Sequence, residues 1–432
     1  MWQTLRKTIC PLLLILVCPP FAIVMWYVNT ALSGSFSELG AMFYQTGILP
    51  TLYKIAQPVI LGSPLAWLII TVFAVFQLAF MKFLPGKIFY GVITPNGNIP
   101  VYKSNGVLAF TVTILTFCAT TFYFHLFSPT IIYDNLGSIL GALNIFSLLF
   151  CGILYWKGRF KPSSTDSNIT GNFIFDYYWG TELYPQILGL HIKKFITCRL
   201  GMMSWGVIIL SYMAKQYQLY GYISNSMIIS VILQMIYISK FYIWETGYLC
   251  SLDMMHDRAG FYICWGCLVW VPCVYTAATM YLVLHPITLS TLVAGLILAG
   301  GTISIFINYF ADRQRQLVRS TQGDCKIWGK KPKVIIANYE TEQGNKKTNL
   351  ILVSGWWGIA RHFHYVPEIT AAFFWTVPAL FSNFSPYFYV IFLTMLLFER
   401  AFRDDIRCAK KYGSYWKDYC ALVPYKIIPH II

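Results

Sequence analysis

Charged residues are scarce in this sequence, and acidic residues are the scarcest. Of its 432 residues, 11% are charged and only 17 are Asp or Glu, whereas roughly 25% of the residues in a soluble domain are charged. Hydrophobic residues make up 57% of the chain and aromatic residues 18%. This composition excludes a disordered chain and an ordinary soluble enzyme, because too little polar surface is available to coat a soluble fold. It predicts a polytopic membrane protein.

Common catalytic and cofactor-binding motifs are also missing. The chain has no G-x-G-x-x-G after a strand-like run, no P-loop, no G-x-S-x-G and no H-E-x-x-H. Most of its 12 cysteines lie in apolar runs, and Cys264-x-x-Cys267 has no second Cys pair or His at ligand spacing. We therefore expect no metal site and no disulfide framework. Nothing indicates a nucleic-acid partner, and the sequence predicts no oligomeric state.

Long apolar runs are the main feature that is present. A helix needs about 20 mostly apolar residues to cross a bilayer. Continuous apolar runs without two-residue alternation favour helices over a β-barrel. The predicted fold class is an all-α polytopic membrane protein with about ten transmembrane helices. The predicted spans are residues 9–28, 62–82, 107–128, 136–156, 196–215, 223–244, 260–284, 287–310, 368–382 and 384–400.

The basic residues indicate the orientation of these spans. The formal net charge is +15, and cytoplasmic loops are the usual location of excess Lys and Arg. With the N-terminus in the cytoplasm, the opposite loops carry only Lys54 and Lys215, and ten crossings return the C-terminus to the cytoplasm. We expect residues 1–432 to form one integral-membrane unit, with N-terminal helices in 1–222 and a catalytic half in 223–432.

The chain after residue 310 is basic and aromatic. Residues 311–432 contain 17 basic and 9 acidic residues, interleaved with Trp, Tyr and His. Arg315 and Arg319 are four residues apart, so on a helix they share one face and could bind a phosphate. The alternative is an ordinary positive flank of a membrane span.

Two further segments have the same character. The run from Ser354 to Tyr365 could stack on a planar heterocycle while Arg361 faces an anion, or it could be an interfacial aromatic belt. In the run after Arg403, Asp404 and Arg407 have helical i,i+3 spacing. That run could be a second wall of a nucleotide site or a polybasic tail that binds membrane lipid.

Carboxylates are rare before residue 311, which makes three of them conspicuous. Glu245, Asp253 and Asp257 lie close in sequence to His256 and Tyr262. Ionisable groups at membrane depth are costly and are candidates for function. A carboxylate-oriented His or Tyr could donate a proton in an apolar cavity. The alternative is an ion pair that holds an interfacial loop.

Several ordered motifs resemble the membrane sterol reductases. They are the C-terminal run from Arg400 to Tyr419, the run Asp176–Pro185, the run His256–Tyr262 and Arg361-His-Phe-x-Tyr365. Tyr184 before Pro185 resembles the Δ7 branch of the family. Gln186 stands where relatives usually have Arg, and His364 where many have Asn.

The resemblance implies ten transmembrane helices and reduction of the C7–C8 double bond of a 5,7-diene sterol taken from the bilayer. It implies an endoplasmic reticulum membrane in a eukaryote and an inner or host-derived membrane otherwise. By matched position, it assigns an NADPH site to Arg315, Arg319, Leu352, Trp357, His364, Tyr365, Asp404, Cys408, Ala409, Lys410, Lys411, Tyr412 and Tyr419.

For the proton relay of such a reductase we predict the catalytic residues Tyr262, Asp257, His256, Asp253 and Glu245. The alternatives within the family are Δ14- and Δ24(28)-sterol reduction. Outside catalysis, a sterol-binding or transport protein could keep the same fold. A membrane methyltransferase is a third possibility, because the Arg-His…Tyr element also resembles isoprenylcysteine methyltransferases.

Overall fold

The structure is a computed structural model that describes residues 4–94, 96–340, 344 and 346–431. Helices α1–α14 are Leu5–Ala31, Phe36–Thr46, Ile48–Ala56, Pro64–Phe83, Gly106–Tyr123, Leu136–Phe160, Phe173–Trp179, Ile192–Tyr220, Asn225–Ile243, Phe261–Leu284, Thr291–Ser320, Tyr365–Thr376, Phe388–Tyr412 and Ser414–Leu422. Strands β1–β6 are Lys87–Tyr90, Val101–Ser104, Gln186–Ile187, Leu190–His191, Val334–Glu340 and Lys346–Leu352, and they pair in sequence order as three antiparallel hairpins.

The predicted fold class, an all-α polytopic membrane protein, is confirmed. Within the described ranges, eight helices are long and apolar enough to cross a membrane: α1, α4, α5, α6, α8, α9, α10 and α11. They coincide in order with the first eight predicted spans. The total of ten spans and the cytoplasmic location of both termini stay predictions.

The two remaining predicted spans differ from the first eight. The ninth, residues 368–382, falls on α12, which has only 12 residues and passes into a short 3-10 turn at Val377–Ala379. Pro378 lies in that turn, and proline cannot donate the backbone hydrogen bond that would continue the helix. The tenth lies in the 25-residue α13, whose C-terminal half carries the charged run after Arg403.

The described chain forms two compact units. The first comprises the residues up to Thr94, Asn98–Leu289 and Pro378–Phe388. Among its helices that are long and apolar enough to cross a membrane, α10 is the most buried, with 78% of its most apolar stretch buried. The proposed grouping into residues 1–222 and 223–432 stays a prediction.

Buried polar contacts tie the helices of the first unit together. Trp205 of α8 donates from Nε1 to Gln234 Oε1 of α9 over 2.8 Å, and Gln234 Nε2 donates to Thr279 Oγ1 of α10 over 2.5 Å. All three side chains are fully buried. Since an unpaired polar group is costly in a low-dielectric interior, these bonds favour one packing of the three helices.

The second unit comprises Ser290–Val377 and the chain from Tyr389 onward, with a short segment before Asn98. In it, the β5–β6 hairpin packs on α13 and α14. The apolar core of this packing consists of Ala337, Ile351, Cys408, Tyr412, Trp416, Tyr419 and Val423. A neighbouring core contains Val318, Ile327, Leu350, Leu352 and Trp357. Five of the thirteen residues predicted for the cofactor site belong to these two cores: Leu352, Trp357, Cys408, Tyr412 and Tyr419.

Candidate active site

The basic face of α11 meets an indole ring. The Arg315 guanidinium carbon lies 4.3 Å from the centroid of the Trp357 ring, and Asp312 Oδ1 lies 3.6 Å from Arg315 Nη2. Trp357 is fixed in turn, because its Nε1 donates to the Ala311 carbonyl over 2.7 Å. Arg319 lies one turn further along α11, as the spacing predicts.

Three rings continue this surface from Trp357. His364 lies 4.9 Å from Trp357 and 4.3 Å from Tyr365, between ring centroids. His362 stacks on Tyr365 at 5.3 Å with an interplanar angle of 11°. Burial lowers the pKa of His362 to about 4, so its ring is neutral at physiological pH. The group therefore offers flat, mostly uncharged ring faces beside a guanidinium.

Asp404 and Arg407, which have the i,i+3 spacing of a helix, form an ion pair on α13. Arg407 donates from Nε over 2.8 Å and from Nη2 over 2.5 Å to Asp404 Oδ1. Burial alone would raise the pKa of Asp404, but Arg407 and His362 hold this pKa below its ordinary value. Burial also raises the pKa of Cys408 to about 12, so this thiol is protonated and packs as an apolar side chain.

The remaining predicted cofactor residues divide into buried and exposed sets. Tyr419 donates its hydroxyl to the Trp357 carbonyl over 3.0 Å, and the Tyr412 hydroxyl accepts from Asn349 Nδ2 over 2.7 Å. Lys411 lies 4.1 Å from the centroid of the Tyr339 ring. Leu352 is buried in the core with Trp357. Ala409 and Lys410 are exposed on α13.

Arg361 is held by contacts within the second unit. Its Nη1 donates to the carbonyls of Val423 and Pro424 over 2.8 and 2.9 Å, and its Nε lies 3.6 Å from Asp405 Oδ1. The alternative in which Arg361 faces a bound anion stays a prediction. Its guanidinium is buried against the C-terminal segment, where backbone carbonyls and a carboxylate already attract it.

The first unit brings together three of the five predicted catalytic residues. His256 Nδ1 lies 2.9 Å from Asp257 Oδ1, and Asp257 is fully buried. The Trp179 ring contacts both His256, edge-on at 5.9 Å, and Tyr262, stacked at 5.7 Å. Asp253 lies just before them, in the one-turn helix Leu252–Met255.

Two glycines allow this close approach. A Cβ on Gly260 would lie 2.3 Å from the Gly180 nitrogen, and Gly180 has a φ of +95°. Ala259 N donates to the Glu182 carbonyl over 3.1 Å, and Arg258 donates to the Thr181 carbonyl. The loop after α7 and the loop before α10 are thus in direct backbone contact, which places Trp179 against the His256 and Tyr262 rings.

Lys193 is a residue that sequence reasoning did not identify. It lies at the start of α8, is 2% exposed, and donates from Nζ to the carbonyls of Met254 and Asp257, each over 2.7 Å. In the sequence, Lys193 and Lys194 resembled an ordinary basic flank of a span. The one signal in the sequence is that Lys193 is the first of two consecutive lysines directly before a long apolar run.

Glu245 lies in a buried ion cluster. Its Oε1 accepts from Arg199 Nη2 over 2.7 Å and lies 3.5 Å from Lys194 Nζ, while its Oε2 accepts from Ser104 Oγ over 3.0 Å and from Gly106 N over 2.9 Å. Burial opposes ionisation, but Arg199 and Lys194 hold the pKa of Glu245 below its ordinary value. The carboxylate joins α5, α8 and the segment after α9.

The fold and these two groups of residues define a polytopic membrane protein with a cationic, aromatic surface in one unit and a His–Asp–Tyr group in the other. The chain belongs to the ergosterol biosynthesis ERG4/ERG24 family, whose family model matches residues 14–432. The predicted resemblance to membrane sterol reductases is therefore confirmed.

Individual relatives agree with this family. The chain is similar to a 7-dehydrocholesterol reductase of Arabidopsis thaliana, with 52% identity over 97% of this chain and 96% of the relative. It is 40% identical to a 7-dehydrocholesterol reductase of Xenopus laevis over 84% of this chain and 79% of the relative. It is 34% identical to a Delta(14)-sterol reductase of Methylotuvimicrobium alcaliphilum over 97% of this chain and 94% of that relative.

Proposed function

We propose that this protein is an oxidoreductase that reduces the C7–C8 double bond of 5,7-diene sterols, with NADPH as reductant. The observation that carries the proposal is the 52% identity, over nearly the whole of both chains, to a protein named 7-dehydrocholesterol reductase. The Delta(14)-sterol reductases are more distant, at 34% identity, so Δ14-reduction is not favoured.

The side chains of the second unit are chemically suited to a dinucleotide. Arg315 and Arg319 would bind its phosphates, since guanidinium groups pair bidentately with phosphate oxygens. Trp357, His364 and Tyr365 would contact its rings. The buried Nε2 of His362 has no hydrogen-bond partner within the described residues, which fits a surface completed by a ligand. When bound, NADPH supplies the hydride.

The remaining predicted cofactor residues would shape and extend that surface. Leu352, Cys408, Tyr412 and Tyr419 hold the cores behind it. Asp404 would accept from a ribose hydroxyl or the carboxamide, and Lys411 would add positive charge. Ala409 and Lys410 would line its solvent-exposed edge.

The proton would come from the first unit. Asp257 would orient His256 through their 2.9 Å contact. Tyr262, which stacks on the Trp179 ring that also contacts His256, would be a second candidate proton donor. Asp253 would assist from the preceding turn. We assign Glu245 to holding three helical segments, because its two oxygens already accept four hydrogen-bonding or ionic contacts. Lys193 would position the loop by binding two of its carbonyls.

The sterol would enter from the bilayer, because a 5,7-diene sterol is itself a membrane lipid. Protonation at C8 would place a positive charge at C7, where the C5–C6 double bond delocalises it. Hydride transfer to C7 would then complete the reduction. In a eukaryotic cell we place the protein in the endoplasmic reticulum membrane.

The direct test is turnover by the purified full-length protein in nanodiscs. 7-Dehydrocholesterol and an 8,14-diene sterol would be supplied separately with NADPH, and the products identified by mass spectrometry. We expect the 5,7-diene to be reduced at C7–C8 and the 8,14-diene to be reduced at least tenfold more slowly. Preferred reduction of the 8,14-diene would contradict the proposal. NADPH and sterol binding without any product would indicate a binding protein instead.

A further inference from the structure

A second cationic cavity lies on α11, away from the face that carries Arg315. Its volume is about 320 Å³. Four of its lining residues follow helical i, i+3, i+4, i+7 spacing and so form one stripe along α11: Phe310, Arg313, Gln314 and Leu317. The other wall consists of Lys326, Ile327, Trp328 and Trp356. None of these residues was assigned to the NADPH site.

The aromatic wall is held in place by local structure. Ile327 and Lys330 exchange two backbone hydrogen bonds, so Trp328 and Gly329 form a two-residue turn with φ values of +50° and +79°. Only a few per cent of non-glycine residues adopt a positive φ, and a bulky one is rarer still. This conformation leaves Trp328 59% exposed, with its ring edge-on to Trp356 at 5.1 Å.

Trp356 is also fixed from behind. Its backbone nitrogen donates to Gln314 Oε1 over 3.0 Å, and its ring stacks on Phe363 at 4.8 Å with an interplanar angle of 9°. The Trp356 part of the aromatic wall is therefore held by a hydrogen bond and a ring stack. Its charged residues, Arg313 and Lys326, are exposed, and its described lining contains no acidic side chain. An anion would meet two cations here with no opposing carboxylate in the wall.

An exposed apolar strip leads from this cavity along the membrane-spanning part of α11. Ile303, Phe306 and Phe310 are 57%, 51% and 47% exposed, and the last two rings lie 6.4 Å apart. The strip ends where Arg313 begins the basic segment. Acyl chains could lie on the strip while a charged headgroup stays at the cavity. A soluble anion has no apolar part that would contact the strip.

We propose that this cavity binds one anionic phospholipid. Its phosphate lies between Arg313 and Lys326, the Trp328 and Trp356 indoles contact the headgroup region, and an acyl chain follows the strip from Phe310 to Ile303. Basic pockets at the ends of membrane helices suit anionic headgroups, and indole rings prefer the membrane interface. The site is independent of the proposed reductase reaction and requires only the folded second unit.

The experiment uses the full-length protein in phosphatidylcholine nanodiscs titrated with phosphatidylserine, with bound lipid counted by native mass spectrometry after release. The double variant Arg313→Ala with Lys326→Ala should retain phosphatidylserine about 30-fold more weakly. The matched control is Lys330→Ala with Lys331→Ala, which removes the same amount of charge from the loop that carries Lys326, outside the cavity. We expect this control to bind as the unchanged protein does.

A second variant, Trp328→Ala, tests the aromatic wall without changing the charge and should also weaken retention. If both charge variants lose phosphatidylserine equally, the binding depends only on the total positive charge and not on the cavity, and the proposal is overturned. Unchanged retention in the cavity variant would also overturn it. If glycerol 3-phosphate displaces the lipid at matching concentrations, the site binds free phosphate and the lipid assignment is wrong. Melting temperatures within 2 °C of the unchanged protein would establish that each variant is folded, since exposed side chains rarely change stability by much.

Discussion

At the scale of single residues, the contacts of an assigned side chain with its neighbours fix its position in the site. Trp357 is held by the Ala311 carbonyl and by Tyr419, and it in turn supports the Arg315 guanidinium. His256 faces a fully buried carboxylate of Asp257. Sequence spacing predicted that Arg315 and Arg319 share a helix, because helical periodicity is local information.

Other residues could not be predicted from spacing. The Lys193 ammonium binds carbonyls 61 and 64 positions further along the chain, and Arg361 Nη1 binds carbonyls 62 and 63 positions away. Backbone carbonyls belong to every residue, so no residue type in the sequence marks these partners. Only the folded chain shows them.

Replacement of Lys193 tests its positioning role. Lys193→Met leaves two buried loop carbonyls without their donor, so we expect kcat to fall about 100-fold through misplacement of the reacting groups. KM for NADPH should stay unchanged. Lys193→Arg keeps a cationic donor and should recover part of kcat. Steady-state kinetics on both variants measure these effects. If Lys193→Met has the same kcat as the unchanged protein, Lys193 does not position the reacting groups.

Removal of both α11 arginines tests the cofactor assignment. Arg315→Ala with Arg319→Ala should raise KM for NADPH about 100-fold, because each lost charge-assisted phosphate contact costs roughly tenfold. The double variant Lys330→Ala with Lys417→Ala, at two exposed side chains, is the matched control for loss of two positive charges. Unaltered cofactor kinetics in the arginine variant, or an equal effect in the control, would remove the phosphate assignment.

A stability measurement on a Glu245 variant distinguishes a structural role of this residue from a role in proton transfer. Glu245→Ala leaves the Arg199 and Lys194 charges buried without their carboxylate, so unfolding free energy should fall by about 3–5 kcal/mol. Its lowered pKa means that its stabilisation is present above the unfolded-state pKa and is lost as pH falls through the folded-state pKa. Thermal unfolding at neutral and acidic pH measures both effects. A loss of activity with full stability would favour the predicted proton-relay role.

At the scale of secondary-structure elements, hydropathy predicted the spans well where the whole helix is apolar. The first eight predicted spans coincide with helices that are apolar along their length, and the sequence alone reports this property. The prediction was less complete for α12 and α13. Pro378 lies in the 3-10 turn directly after α12, and α13 combines an apolar first half with a charged second half. The contact between the loops after α7 and before α10 is tertiary, so periodicity carries no signal for it.

That loop contact has its own test. Gly260→Ala would place a Cβ 2.3 Å from Gly180 N and 2.5 Å from the Trp179 carbonyl carbon, both backbone atoms that cannot move cheaply. We expect a loss of about 1–3 kcal/mol in stability and lower turnover. Gly266→Ala in α10 is the control, because nothing lies within 4 Å of its added Cβ. Melting temperatures compare the two, and an unaffected Gly260→Ala protein would contradict the described loop contact.

At the scale of the whole molecule, charge is distributed unevenly. Residues 311–432 carry 17 basic and 9 acidic residues, which is a net charge of +8 out of +15 for the chain. In the described structure, two of these cations lie on different faces of α11: Arg315 lies beside Trp357, and Arg313 lines the cavity beside Trp356. We assign the first to an anionic dinucleotide and the second to an anionic lipid, while the apolar helices serve a sterol substrate.

The most direct measurement of the central claim is the fate of each hydrogen in the reaction. The full-length protein would be given 7-dehydrocholesterol with NADPH deuterated at the transferred position, and in a second reaction with ordinary NADPH in deuterated water. We predict that the cofactor deuterium appears at C7 of the product and the solvent deuterium at C8, as located by NMR. Cofactor deuterium at any other carbon, or a product without it, would contradict NADPH-dependent reduction of the C7–C8 bond.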